Sequence, residues 1–99
     1  MNREQLYRSM EQTFKQCLEI SARKNNDYAK GDDPFKNFRV SEVVGVPVER
    51  GIMVRMMDKV ARISNSFDTE LQVKDESVED TLLDLINYAA ILKTYLSQK

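Results

Sequence analysis

The chain has 99 residues, of which 41% are hydrophobic and 31% charged, and its formal net charge is −1. This size and composition predict one soluble domain spanning residues 1–99. The absence of histidine and the presence of one cysteine, Cys17, exclude Ser-His-Asp and Cys-His catalysis, histidine or thiolate zinc clusters and intrachain disulfides, and the balanced charge argues against general nucleic-acid binding.

Cys17 falls at a helical apolar position, so we expect a buried, reduced thiol and a cytoplasmic location. No apolar signal segment is visible at the N-terminus, and no membrane partner is expected. A domain of this size has a marginal core of its own, because a small chain leaves a large part of its surface in water. We therefore expect a homo-oligomer.

Apolar residues at intervals of three and four predict an amphipathic first helix over residues 3–23, with a stripe of Leu6, Met10, Phe14, Cys17, Leu18 and Ser21. This periodicity stops between Lys24 and Gly45, a segment rich in Asn, Asp and Gly. The segment predicts a long ordered loop, since Phe35 and Phe38 can anchor it, with a helical turn beginning at Ser41.

A second helix is predicted from Val48 to about Phe67, following Pro47 at a position that suits a helix start. Its polar residues Arg55, Asp58, Lys59 and Arg62 are spaced to share one face, on which Asp58 can pair with Arg55 or Arg62. This face is either a solvated salt-bridge ladder or part of a functional site.

The third helix is predicted over residues 77–96, with Ser77 as its N-cap. Between Leu82 and Leu92 it is apolar on nearly all sides, so it must be central to the fold or to a subunit interface. The predicted fold class is therefore all-α, a small bundle of three main helices with a long ordered loop after the first.

Asp84 lies within this apolar run, where a carboxylate must be paired or must bind a cation. One interpretation is structural: Asp80 caps the helix and Asp84 pairs with Lys59 or Arg62. The other is functional, because Asp80 and Asp84 are one turn apart and, joined by Asp58, could hold Mg²⁺. Arg55, Lys59 and Arg62 would then face the oxygens of a phosphorylated ligand.

The loop and the third helix offer further candidate ligand-binding residues, namely Lys24, Asn25, Asp27, Tyr28, Asn37 and Asn87. Lysine can bind a phosphate, an aromatic ring can stack on a base, and an amide can bind a base edge, so this mixture suits a nucleotide lid. The alternative is a polar loop that Phe35 and Phe38 merely fix to the core.

The successive segments KNNDYAKGDDPFKNF, RGIMVRMMDKVARISN and VKDESVEDTLLDLINYAAIL, within residues 24–93, resemble the nucleotide-modification-associated domain 1 family. This family consists of small proteins frequent in phages and prophages. The resemblance implies a role in nucleotide metabolism or DNA-base modification.

A more distant resemblance is to the MazG-like all-α NTP pyrophosphatases, whose paired acidic residues bind Mg²⁺. It implies that Asp80 and Asp84 are an acidic pair, but only Asp58 stands where those enzymes carry Glu-x-x-Glu. Our first hypothesis is a Mg²⁺-dependent nucleotide pyrophosphohydrolase with Asp58, Asp84 and Lys59 as catalytic residues.

The second hypothesis is a protein that binds a nucleotide or cyclic nucleotide without cleaving it and so counters a host signal. The incomplete acidic set favours this hypothesis. A third is a helical interaction domain, suggested by the stripe of Met53, Met56 and Met57.

Overall fold

The structure is a computed structural model that describes residues 1–28, 31–68 and 77–99, with only the backbone described for residues 26–28. Its elements are α1 (Arg3–Tyr28), a 3-10 helix (Lys36–Val44), α2 (Val48–Asp68) and α3 (Val78–Ser97). No strand occurs within these described ranges. The predicted all-α class is confirmed.

The helix starts follow from local sequence. The Asn2 side chain accepts a hydrogen bond from the Gln5 N–H, and the Gln5 side chain accepts one from the Asn2 N–H, which forms a capping box at α1. The Ser77 hydroxyl oxygen accepts the Asp80 N–H at 3.0 Å, so the predicted N-cap of α3 is confirmed. As predicted, α2 begins directly after Pro47.

The segment predicted as a long loop is more helical than expected. Helix α1 continues to Tyr28 instead of ending near Arg23, and the 3-10 helix begins at Lys36 instead of Ser41. Apolar periodicity ends at residue 23, but no glycine or proline interrupts the helix before Gly31. The 3-10 helix ends at Gly45, whose φ of 77° is the left-handed conformation that glycine adopts readily.

The helices pack in a chain of contacts in which α2 lies along α3, α1 packs on α3, and the 3-10 helix packs on α2. The buried hydrophobic residues of the described part are Cys17, Phe35, Val48, Ile52 and Leu83. The Phe35 ring contacts the Tyr95 ring of α3 edge-on at 5.3 Å, so the predicted anchoring of this segment by Phe35 is confirmed.

The apolar stripe predicted for α1 faces the other helices only in part. Cys17 is buried, but Leu6, Met10, Phe14 and Leu18 are exposed. Helix α1 packs mainly through its C-terminal half, where Cys17 is buried and Ile20 and Ser21 are partly buried. In its N-terminal half Thr13 alone among the described side chains is partly buried, so Leu6, Met10 and Phe14 stay largely open to solvent.

No helix of the described residues combines the length and the apolar composition needed to cross a bilayer.

Candidate functional site

A cavity of about 650 Å³ lies between α1, α3 and the start of the 3-10 helix with the residues that precede it, and α2 contributes Arg55 to its lining. Its volume is within the range of small-molecule sites in proteins, and most of its lining is apolar or aromatic. Six of the predicted site residues line it together: Lys24, Asn25, Asn37, Arg55, Asp84 and Asn87.

Asp84 sits where three helices meet at the edge of this cavity. One of its oxygens is 3.0 Å from the Lys59 ammonium of α2, and the other is 3.3 Å from the Lys24 ammonium of α1. The Asp84 and Lys59 side chains are only 16% and 14% exposed, whereas Lys24 is 54% exposed. The pairing of Asp84 with Lys59, which the structural interpretation predicted, is therefore confirmed.

These two lysines lower the pKa of the Asp84 carboxyl. Burial alone would raise the pKa of its carboxyl, but the hydrogen bond from Lys59 and the charges of Lys24 and Lys59 outweigh burial and lower the pKa below its ordinary value. Asp84 is therefore a carboxylate at neutral pH, and with its two partners it forms a cluster of net charge +1. Such a cluster favours an anionic ligand in the cavity.

The thiol of Cys17 faces the same region from α1. It donates a weak hydrogen bond to the Leu83 carbonyl at 3.7 Å. Burial, and next to it the negative charge of Asp84, raise the pKa of this thiol above its ordinary value. Cys17 is therefore a neutral packing residue rather than a nucleophile.

A second wall of the cavity combines a cation with aromatic rings. The Arg55 guanidinium lies 5.0 Å from the centroid of the Phe38 ring, and Phe38 contacts Tyr88 edge-on at 6.3 Å. Arginine in this position adds a second exposed positive charge to the cavity, next to a surface on which a planar ring can stack.

Local hydrogen bonds hold the segment that carries Asn37 and Phe38. The Asp33 carboxylate accepts the Phe35 N–H at 3.0 Å and is 2.7 Å from Nε of Arg39. The hydrogen bond from Arg39, followed by the one from Phe35, lowers the pKa of Asp33. Asp33 therefore stays ionised and fixes the turn that places Asn37 at the cavity.

Other predicted residues lie elsewhere. Asp58 is 63% exposed and lies 3.8 Å from Arg62, so one of the two pairings predicted for it on α2 is confirmed. Neither Asp58 nor Arg62 lines the cavity. Asp80 is exposed in the first turn of α3. The side chains of Asp27 and Tyr28 lie outside the described residues.

No group of three or more carboxylate or thiol side chains in the described ranges is placed to hold a metal ion. Asp58, Asp80 and Asp84 thus do not form such a group, and two ammonium groups occupy the positions beside Asp84 where a cation would bind. The magnesium site formed by Asp58, Asp80 and Asp84 therefore stays a prediction.

In comparisons with known proteins, no family model matches this chain, and no curated protein or solved structure matches it either.

Sequence reasoning missed several lining residues. The sequence pattern assigns Phe14, Leu18 and Ser21 to a packing stripe on α1, and Tyr88 to a helix that is apolar on nearly all sides, but all four line the cavity. Tyr88 could have been found, because it lies one turn after Asp84 on the same face of α3. No local signal reveals the exposure of Phe14 and Leu18, because exposure depends on which face of α1 meets α3.

Proposed function

We propose that this protein binds a phosphorylated nucleoside, such as a nucleotide or a cyclic nucleotide, in the cavity between α1 and α3, and that it holds the ligand without cleaving it. The observation that carries the proposal is the position of Asp84 between Lys24 and Lys59 at the edge of an aromatic-lined cavity. The family resemblance noted in the sequence supports the same ligand class.

The charges favour an anion. Lys24 is half-exposed and already directed toward the cavity edge, and Arg55 is exposed on another wall. Lys59 is nearly buried and stays paired with Asp84 when a ligand binds. The ammonium group of Lys24 can therefore give up part of its ion pair with Asp84 and donate a hydrogen bond to a phosphate oxygen. Asp84 then fixes the position of Lys24 instead of binding the ligand itself.

The neutral groups favour a nucleoside. Phe38 and Tyr88 offer ring surfaces for stacking, and the amides of Asn37 and Asn87 can donate to and accept from a base edge. A carboxylate held by two ammonium groups is a poor metal ligand, since a cation would first have to displace them. This is why binding is favoured over pyrophosphate hydrolysis. The phage-type setting, the cytoplasmic location and a homo-oligomeric state belong to the same proposal.

Isothermal titration calorimetry with NTPs, dNTPs and cyclic mono- and dinucleotides tests the proposal. Lys24→Met and Arg55→Met should each weaken the tightest ligand by about tenfold, the loss of one charge-assisted hydrogen bond. Lys93→Met is the matched control, because Lys93 is exposed on α3 and does not line the cavity. Equal weakening in the control would place the ligand elsewhere.

The fate of the ligand separates binding from hydrolysis. After incubation with Mg²⁺, phosphorus NMR should show the ligand intact. Release of pyrophosphate and a monophosphate, abolished in Asp84→Asn, would instead establish the hydrolase hypothesis with its predicted Mg²⁺ site. Absence of binding to every nucleotide would contradict both.

A further inference from the structure

Four large apolar side chains form an exposed row on the N-terminal half of α1. They recur every fourth residue and are 44%, 42%, 52% and 70% exposed in the order Leu6, Met10, Phe14 and Leu18. A row at this spacing is the ridge used in the commonest class of helix packing, so it is built to pack against another helix. We call these four residues the α1 row.

Within the described part of the chain, the α1 row is left largely open to solvent, and only Phe14 and Leu18 face other elements, across the cavity. The first fourteen residues of α1 include only one partly buried side chain, Thr13. An isolated helix of this length is marginal in water, because nucleation is costly and propagation alone gives little stability. The N-terminal half of α1 therefore depends on a partner that contacts its apolar row.

The accessible surface and the radius of gyration of the chain are both larger than those of a compact monomer of the same size. Its accessible surface is 7739 Å², whereas a compact monomer of this mass exposes about 5,800 Å². The radius of gyration is 15.4 Å against about 12.6 Å for a compact chain of this length. The excess surface of about 1,900 Å² is close to what each subunit of an obligate homodimer buries.

We infer that the α1 row binds the α1 row of a second copy of this chain, related by a two-fold axis near the midpoint between Met10 and Phe14. We choose a second copy as the occupant because the need is structural. The described residues include five buried hydrophobic side chains, which make a small core, and a partner required for folding must be present wherever the chain is made. Around such an axis Met10 meets the partner's Phe14, and Leu6 meets the partner's Leu18, apolar against apolar.

The interface also borders the cavity. Phe14 and Leu18 belong both to the α1 row and to the cavity lining. The second copy therefore completes the outer wall of each cavity, a consequence that rests on the proposed function. The dimer test needs no nucleotide, so its failure is distinguishable from failure of nucleotide binding.

Sedimentation equilibrium of the full chain should give a species of twice the 11.5 kDa chain mass. Met10→Glu places a charge at the centre of the interface and should raise the dimer dissociation constant by about 100-fold. Gln12→Glu adds the same charge on the opposite face of α1 and should change it by less than about threefold. A monomeric wild type, or equal effects of the two variants, would overturn the inference.

Cross-linking keeps the test independent of whether Met10→Glu folds. In a Cys17→Ala background, Met10→Cys treated with a short bis-maleimide should give a covalent dimer. Gln12→Cys in the same background should not. A dimer that cross-links equally through both positions would show that it forms through another surface.

Discussion

Asp84 is held by two lysines that contribute unequally, because they differ in exposure. Lys59 is 14% exposed and 3.0 Å away, and Lys24 is 54% exposed and 3.3 Å away. Removing the partner of a buried charge costs more than removing an exposed partner, since water replaces only the latter. The stabilising role therefore falls mainly on Lys59, which leaves Lys24 available for a ligand.

We predict that Lys59→Met lowers the free energy of unfolding by about 2 kcal/mol, because Asp84 stays in a poorly solvated position with only the more exposed Lys24 as its partner. Lys24→Met should cost less than about 1 kcal/mol. Urea denaturation followed by circular dichroism measures both, with Lys93→Met as the control. A larger loss in Lys24→Met than in Lys59→Met would contradict the assignment.

The lowered pKa of Asp84 predicts a specific pH dependence. A carboxyl whose pKa is lower in the folded chain than in the unfolded chain stabilises the fold above the unfolded pKa. That contribution is lost as the pH falls through the folded pKa, below the ordinary Asp value of 3.8. The stability difference between wild type and Asp84→Asn should therefore be largest at neutral pH and shrink in acid.

Urea midpoints of both proteins between pH 7 and acid check this sign. Asp33 and Glu49 also have lowered pKa values, through Arg39 and Lys99 respectively, so both proteins lose stability in acid. The difference in stability between wild type and Asp84→Asn at each pH therefore gives the contribution of Asp84 alone. A difference that grows as the pH falls would show that Asp84 is not stabilised as a carboxylate.

At the scale of elements, the contact between α2 and the 3-10 helix depends on a glycine. A Cβ at Gly51 would lie 2.7 Å from Oγ and 2.8 Å from Cβ of Ser41. The Ser41 hydroxyl is tied to the Val46 carbonyl at 2.9 Å and the Phe38 carbonyl at 3.3 Å, so it cannot withdraw without losing these hydrogen bonds. Gly51 thus allows the 3-10 helix to approach α2 and to present Phe38 to the cavity.

Gly51→Ala should destabilise the protein by about 1–3 kcal/mol, although alanine is the better helix former by about 1 kcal/mol. The double variant Ser41→Gly/Gly51→Ala should cost less than the sum of the two single changes, because the clash is removed. Thermal unfolding of the three variants provides the comparison. A stabilised Gly51→Ala would mean that the 3-10 helix can move away freely.

The α2–α3 pair and α1 differ in how they gain stability. Val48 and Ile52 of α2 and Leu83 of α3 are buried, whereas Cys17 is the only buried hydrophobic residue among the described side chains of α1. The cavity lies on the α1 side, so the proposed ligand would bind at the less firmly packed part of the described structure.

At the scale of the whole molecule, the inferred dimer predicts that stability depends on protein concentration. Because dissociation accompanies unfolding, the thermal midpoint should rise with concentration in the wild type and in Gln12→Glu. Differential scanning calorimetry over a dilution series measures this dependence. A midpoint that is independent of concentration in the wild type would contradict a dimer that stabilises the fold.

The sequence by itself determined the elements that depend on neighbouring residues. Helical periodicity, the Ser77 cap and the position of Pro47 predicted α2 and α3 closely, because caps and apolar stripes act within one or two turns. It also identified Asp84 as a carboxylate that needs a partner, and proposed six residues that the cavity brings together. These are consequences of side-chain chemistry and of spacing along one helix.

Only the tertiary structure decided which partners meet. It paired Asp84 with Lys59 and Lys24. It left Asp58, the residue before Lys59, exposed and outside the cavity, because adjacent residues on a helix point about 100° apart. It also turned the α1 row outward. Each outcome depends on the rotation of one helix against another. That rotation is set by packing over the whole molecule, which no local pattern specifies.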